Sequence, residues 1–396
     1  MIIGIASPVD VYEFRNFFPE SYRSILGDLA NPNSAPAVNT LVCSFLKQGH
    51  RIHLYTLGPK DIHLSGPQIE LYVIARESRY PIKYLWGCFN NAAKIADCIS
   101  HDVDSLDVLH AHWSYEYAYA AKEFTSAVPV LCTIRDWAPL IFNFESTKNK
   151  ITWIFKRIMC RKVYADPNIH FVANSPYTAE LVARYKGIKA KTIPNSVSDT
   201  FFDKVNRNID PGLRIVSIAS SYDKRKNIKT LLEAFKLVLK EVPDATLHLI
   251  GKPFTNSNPA LKELFDAGLI GTNVYLLGEI KHNELKGYLD NATVFVSSSL
   301  EETFGNTFLE AISRKVPAIG GESSGAVPYV LHKGAAGYLC DVNNPDSIKE
   351  AILKVYYNPD EAKGKAEDAL EIIRNEYSES VVCKQYLELY EELIKK

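Results

Sequence analysis

Several things are missing from this chain, and each absence narrows it. There is no charge imbalance: 45 Lys and Arg stand against 46 Asp and Glu in 396 residues, a net charge of -1. Without a basic surplus there is little to neutralise a polyanion, which argues against a nucleic-acid partner. No apolar run approaches the roughly 18 residues that a membrane-spanning helix needs. The opening Met1-Ile-Ile-Gly-Ile-Ala6 is apolar but lacks the basic start of a signal peptide, and reads as a strand. The seven cysteines are odd in number and include no C-x-x-C. They sit in apolar runs, which reads as reduced core thiols in a cytoplasmic protein, not a disulfide frame or a zinc site. No G-x-G-x-x-G follows the first strand and no G-x-x-x-x-G-K-[ST] occurs, which argues against nicotinamide and P-loop enzymes. No short-period repeat or low-complexity tract is visible.

What is present is an ordinary globular balance, 46% hydrophobic and 23% charged, in a chain long enough for two cored domains. About thirteen strand-like segments alternate with helical ones, in two blocks that meet near residue 200. That alternation predicts an α/β protein of two doubly wound parallel sheets facing across a cleft.

One stretch carries the chemistry. Val294-Phe-Val296 reads as a buried strand, followed by Ser297, Ser298, Ser299, Glu301, Glu302 and Gly305. Phe308, Leu309 and Ile312 then recur at helical spacing. A helix start carries free N–H groups and a partial positive charge, and so favours an anion. With a start near Asn306, Glu310 lies about 6 Å along the helix and Glu302 sits in front of its positive end. Such a layout suits a ligand with hydroxyls at both ends and phosphates between, as in a nucleotide-diphosphate sugar. The plainer reading, three solvated glutamates, is disfavoured by the strand, the serines and the glycine together.

Glu302-Thr-Phe-Gly-Asn-Thr-Phe-Leu-Glu310 resembles the E-x-F-G-x-x-x-x-E signature of the family 4 (group 1) retaining glycosyltransferases, which are of the GT-B type. Arg314 to Gly320, Gly325 to Leu331 and Gly334 to Asp341 resemble the segments that follow it in the family, except that Tyr329 stands where an acid is usual. Earlier, Ser221-Tyr-Asp-Lys-Arg-Lys226 resembles the family's phosphate-binding loop. Lys226 falls on its lysine; Ser221 replaces its arginine, and Lys224 or Arg225 is the candidate substitute. Lys191 to Asp199 resembles the segment that closes the first domain, with Asn195 at a turn and no catalytic role.

In the first half, Leu106-Asp-Val-Leu-His-Ala-His112 resembles the family's D-V-V-H-A-H. His110 and His112 are expected on opposite sides of the strand, with His112 near the donor sugar. Arg135, at the next strand end, stands where many relatives have histidine, and is read as meeting a phosphate or, more readily, a carboxylate. Ser7 to Pro36 is read as a long loop carrying Arg15 and Arg23, either contacting an acceptor or packing on the surface. Lys148 to Tyr164 reads as a basic helix; packing on its own domain with a solvated basic face is favoured over lying on an anionic membrane.

The resemblance implies a donor-side domain over 199–377 and an acceptor-side domain over 1–198, joined by a returning helix at 378–396. It implies transfer of a hexose-type sugar from a nucleotide-diphosphate sugar to a carbohydrate or lipid-linked hydroxyl, with retention, in envelope polysaccharide or glycolipid synthesis. Glu310 is assigned the ribose and Glu302 the hexose. Lys226 and Arg225, with the amides of Gly305, Asn306 and Thr307, hold the diphosphate. His112 and Glu302 are the candidate catalytic residues. No metal or other cofactor is expected, since no D-x-D sits at a strand end. Cytoplasmic placement follows from the reduced thiols, and peripheral contact at the inner membrane face is the alternative that a lipid-linked acceptor would require. Two other classes share the architecture: a phosphorylase or epimerase, and a nucleotide-sugar-binding protein without turnover.

Overall fold

The structure is a computed structural model that describes residues 1–31, 34–77, 87–145, 147–205, 207 and 212–395, with 147–149 described by backbone alone. The chain divides into two compact units, Met1–Ser196 together with Glu379–Lys396, and Val197–Ser378.

Among the described residues the first unit has eight strands: β1 (Ile2–Ala6), β2 (Arg51–Gly58), β3 (Ile62–Ser65), β4 (Ile69–Ala75), β5 (Val108–His112), β6 (Val130–Ile134), β7 (Ile169–Ala173) and β8 (Lys191–Thr192). Their spatial order is β3-β4-β2-β1-β5-β6-β7-β8. All neighbours are parallel except β3, which runs antiparallel to β4. β5 and β6 are buried along their whole length. Continuous apolar strands of this kind arise because helices cover both faces of a parallel sheet. Helices Gly87–Ser100 and Thr147–Tyr164 contribute to one core layer through Ile95, Met159 and Val163. Helices Pro36–Lys47 and Glu379–Ile394 form the other through Val38, Phe45, Tyr386, Tyr390 and Leu393. Lys47 pairs with Glu379 at 2.7 Å, but the lysine is largely exposed and such a pair contributes little. Each fully buried side chain of Val, Leu or Phe size contributes about 1.5–3 kcal/mol, so apolar packing holds the last helix in place.

Two expectations change here. The Ser7–Pro36 segment is not an open loop: it holds helical turns Val11–Phe17 and Glu20–Tyr22 and a short helix Arg23–Asp28, with Val11, Phe14 and Leu26 buried. Arg15 donates to the Tyr12 carbonyl at 3.0 Å and Arg23 pairs with Glu20 at 2.8 Å, so both are engaged locally. The antiparallel strand β3 was not expected. The sequence also reads as a helix over Leu85 to Ile99; it is observed over Gly87–Ser100, and Leu85 and Trp86 lie outside the described residues.

Among the described residues the second unit has six strands, all parallel: β9 (Arg214–Ile218), β10 (Thr246–Ile250), β11 (Val274–Leu276), β12 (Val294–Val296), β13 (Ala318–Gly321) and β14 (Tyr338–Cys340), in the order β11-β10-β9-β12-β13-β14. Strand order reverses direction once in each parallel array, between β1 and β5 and between β9 and β12. Loops leaving the carboxyl ends of two such strands diverge to opposite faces and open a crevice, where ligands of doubly wound folds gather.

Candidate active site

The loops that leave β9 and β12 are those carrying Lys226 and Glu302. They are stitched to each other: the Leu300 amide donates to the Arg225 carbonyl at 2.7 Å and the Ser298 hydroxyl to the Lys226 carbonyl at 3.0 Å. Lys226 Nζ reaches Glu302 Oε1 at 2.5 Å, and Arg225 Nη1 lies 3.8 Å from Glu302 Oε2. Burial pushes the Glu302 carboxyl up, but Lys226 and then Arg225 outweigh it and hold the group below its ordinary range. Ser221 carries no charge into this cluster; its hydroxyl donates to Asp223 Oδ2 at 2.7 Å, while Asp223 Oδ1 accepts the Lys226 amide. Of the two candidate substitutes for the missing arginine, Lys224 is exposed and Arg225 turns towards Glu302.

The helix after this loop runs Asn306–Ser313, beginning where the sequence placed it. Gly305 precedes it with φ of +101°, a conformation that favours glycine, and a Cβ there would meet Phe308 Cδ2 at 2.8 Å. Asn306 and Thr307 form the first turn, beside the Glu302 cluster. Glu310, one turn further on, is buried against His282, whose Nε2–H donates to its Oε1 at 2.9 Å. His282 in turn lies 5.0 Å, ring to ring, from Phe201. Sequence reasoning missed His282, because the turn His282–Glu284 follows β11 and bears no spacing relation to Glu310. Among the described residues no group of three or more His, Cys, Asp or Glu is placed to hold a metal ion.

In the first unit, His112 ends β5, beside the point where strand order reverses. His110 and His112 share one face of β5, with ring centroids 4.0 Å apart. The expectation that they face opposite sides is wrong, because residues two apart on a strand project together. His110 Nδ1 bonds Tyr390 Oη at 2.6 Å and its Nε2 bonds Thr133 Oγ1 at 2.7 Å, tying β5 to β6 and the last helix. Arg135, expected to meet a phosphate or carboxylate, lies against His112 Nδ1, which accepts from its Nε at 3.2 Å, and donates through Nη1 to Asn195 Oδ1. Burial, then His110 and Arg135, hold the His112 imidazole well below its ordinary pKa, so it is neutral.

With this geometry in view, family comparisons are decisive. The model described as "Glycosyl transferases group 1" matches residues 199–375, and that described as "Glycosyltransferase Family 4" matches residues 37–201. The chain belongs to the group 1, family 4 glycosyltransferases. Among curated relatives of this glycosyltransferase, N-acetyl-alpha-D-glucosaminyl L-malate synthase of Bacillus anthracis is 24% identical over 88% of this chain and 91% of its own. Alpha-monoglucosyldiacylglycerol synthase of Streptococcus pneumoniae is 24% identical over 72% and 67%. Among solved structures, sucrose-phosphate synthase of Thermosynechococcus elongatus superposes with a TM-score of 0.78 at 18% identity, covering 100% of this chain and 99% of its own. HepE of Anabaena, solved with UDP and glucose, gives 0.71 at 14% identity over 98% of each. The two parallel-sheet units are thus those of a GT-B glycosyltransferase.

Proposed function

We propose that this glycosyltransferase moves a hexose-type sugar from a nucleotide-diphosphate sugar to a hydroxyl of a carbohydrate or lipid-linked acceptor, with retention, in envelope polysaccharide or glycolipid assembly. The observation that carries this reading is the placing of Lys226, Arg225, Glu302 and Glu310 around one helix start. The diphosphate lies on Lys226, Arg225 and the amides of Gly305, Asn306 and Thr307, which neutralise it without a metal. Glu302 and Glu310 accept hydrogen bonds from the hexose and ribose hydroxyls. In the transfer the bond from C1 to the diphosphate oxygen breaks, and its electron pair leaves with that oxygen. The acceptor oxygen bonds C1 on the same face, and its proton passes to the departing phosphate. The fold match to a protein holding UDP and glucose supports a donor of that type.

The helix Thr147–Tyr164 supports a lipid-linked acceptor. Met159, Cys160 and Val163 are buried, yet Ile151, Ile154 and Ile158 are 52%, 46% and 40% exposed on one face, beside exposed Arg157 and Arg161. An apolar stripe edged by cations fits the surface of an anionic bilayer. Among the described residues no helix is long and apolar enough to cross one.

The test is thermal unfolding with UDP, GDP, ADP and their common sugars, comparing the parent with Glu310→Ala. A bound ligand stabilises by RT ln(1 + [L]/Kd), about 2.7 kcal/mol at a hundredfold excess over Kd. A rise for one nucleotide, abolished in the variant, supports the donor site and names the donor class; no rise with any of them refutes the reading. Binding without any transfer or hydrolysis points instead to a binding protein that does not turn over.

A further inference from the structure

The polar atoms of one buried cluster in the first unit are paired with one another, except one. His110 spends both ring nitrogens on Tyr390 and Thr133. Thr133 Oγ1 also contacts Tyr386 Oη at 3.1 Å. Arg135 Nη1 is held by Asn195 Oδ1. His112 Nδ1 lies 3.2 Å from both Nε and Nη2 of Arg135. His112 Nε2 is buried and has no partner. Burying a polar group without a partner is costly, and one that persists calls for an explanation.

The identity of the neighbour decides what that nitrogen is. A guanidinium has donors only and stays protonated in proteins. Nδ1 must therefore present its lone pair, and the neutral ring must carry its proton on Nε2. The geometry is built in by strand register. His112 of β5 sits opposite Thr133 of β6, so Arg135, two residues on, comes out beside the imidazole. The backbone then turns sharply: Trp113 has φ of +65°, which a bulky side chain rarely adopts, and its amide donates to the Thr133 carbonyl at 3.0 Å. Such strain collects where a side chain must be aimed. The titratable groups around His112 are His110 on its own strand, Arg135 at the end of β6 and, across Arg135, Tyr386 and Tyr390 of the last helix.

We propose that Arg135 is a positioning residue that fixes His112 as the Nε2–H tautomer, so that His112 donates a hydrogen bond to an oxygen of the bound substrate and never accepts its proton. This rests on the sugar-transfer reading for the substrate, but not for the tautomer. It also gives a role to the arginine that stands where many relatives have histidine.

The first arm needs only the parent protein: a long-range proton–nitrogen spectrum of histidine-labelled protein, with His112→Gln to assign the signal. An unprotonated Nδ1 and a protonated Nε2, unchanged from about pH 5 to about pH 9, are expected. A protonated Nδ1, or a titration in that range, overturns the proposal. The second arm is the pH profile of kcat/KM. Arg135→Lys still donates to Nδ1 and should keep the parent's profile. Arg135→Glu accepts from Nδ1, inverts the tautomer and should lose about a hundredfold near neutral pH, in line with loss of one preorganised donor. Activity should then return as pH falls, because the imidazolium regains an Nε2–H. A loss equal at every pH would make Arg135 a packing residue and overturn the proposal. If the parent transfers no sugar at all, the proposed function fails, while the spectrum still decides the tautomer.

Discussion

Lys226→Met tests the charge cluster most directly. Lys226 and Glu302 are 11% and 15% exposed and 2.5 Å apart, with Arg225 as the remaining cation at 3.8 Å. Removing one partner of a buried pair costs about 3–5 kcal/mol; with Arg225 still present and some water access, about 2 kcal/mol is expected. In a unit of this size that lowers the melting temperature by about 4–8 °C. Glu302 sits below its ordinary range in the folded protein, so its stabilising contribution is present above the ordinary carboxylate pKa and is lost as pH falls through the lowered value. Without Lys226, burial dominates and pushes Glu302 up. The stability gap between parent and variant should therefore widen as pH rises through the carboxylate range and then level off. Urea unfolding followed by circular dichroism over that range is the assay. The four tryptophans, Trp86, Trp113, Trp137 and Trp153, all lie in the first unit, so their fluorescence follows that unit as a reference. Adding Glu302→Gln to Lys226→Met removes the stranded charge and should restore about 1–2 kcal/mol near pH 7. A double variant no more stable than the single one, or a gap that ignores pH, would show that the two groups are not coupled.

Two further predictions follow from single features. Gly305→Ala forces a side chain into a positive φ and into Phe308, and should lose about 1–3 kcal/mol of stability, read by urea midpoint, together with weaker nucleotide binding. The parent should sediment with phosphatidylglycerol vesicles but not with phosphatidylcholine alone, and Ile154→Asp should weaken that binding at least tenfold; equal binding to both vesicles would refute the anionic-surface reading.

Strands such as Val130–Ile134 were legible because a strand buried on both faces must be apolar throughout. Ile62–Ser65 was not: it is an antiparallel edge strand of four residues, with only Leu64 buried, and so lacks that run. Val11 and Phe14 hold their segment in the core through 3-10 turns too short to show a helical period. The meeting of Lys226 with Glu302 was legible in principle, since both follow strands that pair with each other at the sheet centre. The contact of Arg135 with His112 depends on which residue of β6 lies opposite His112, and periodicity gives faces without giving register between strands. His282 beside Glu310 left no local signal, because only the folded second unit brings that turn to the helix.

The position of Glu379–Ile394 along the chain has a consequence for synthesis. Tyr386, Tyr390 and Leu393 close one wall of the first unit's core, and Tyr390 is what satisfies His110, yet these residues are encoded after the whole of the second unit. As the chain leaves the ribosome, one face of the first sheet must therefore wait, with Val38, Phe45 and a polar histidine uncovered, while the later unit is made and can complete itself. The core layer on the other face of the sheet, around Ile95, Met159 and Val163, needs nothing from the last helix, so only one wall of the first unit has to wait. The half-covered first unit is thus the stage at which a chaperone has the most to cover.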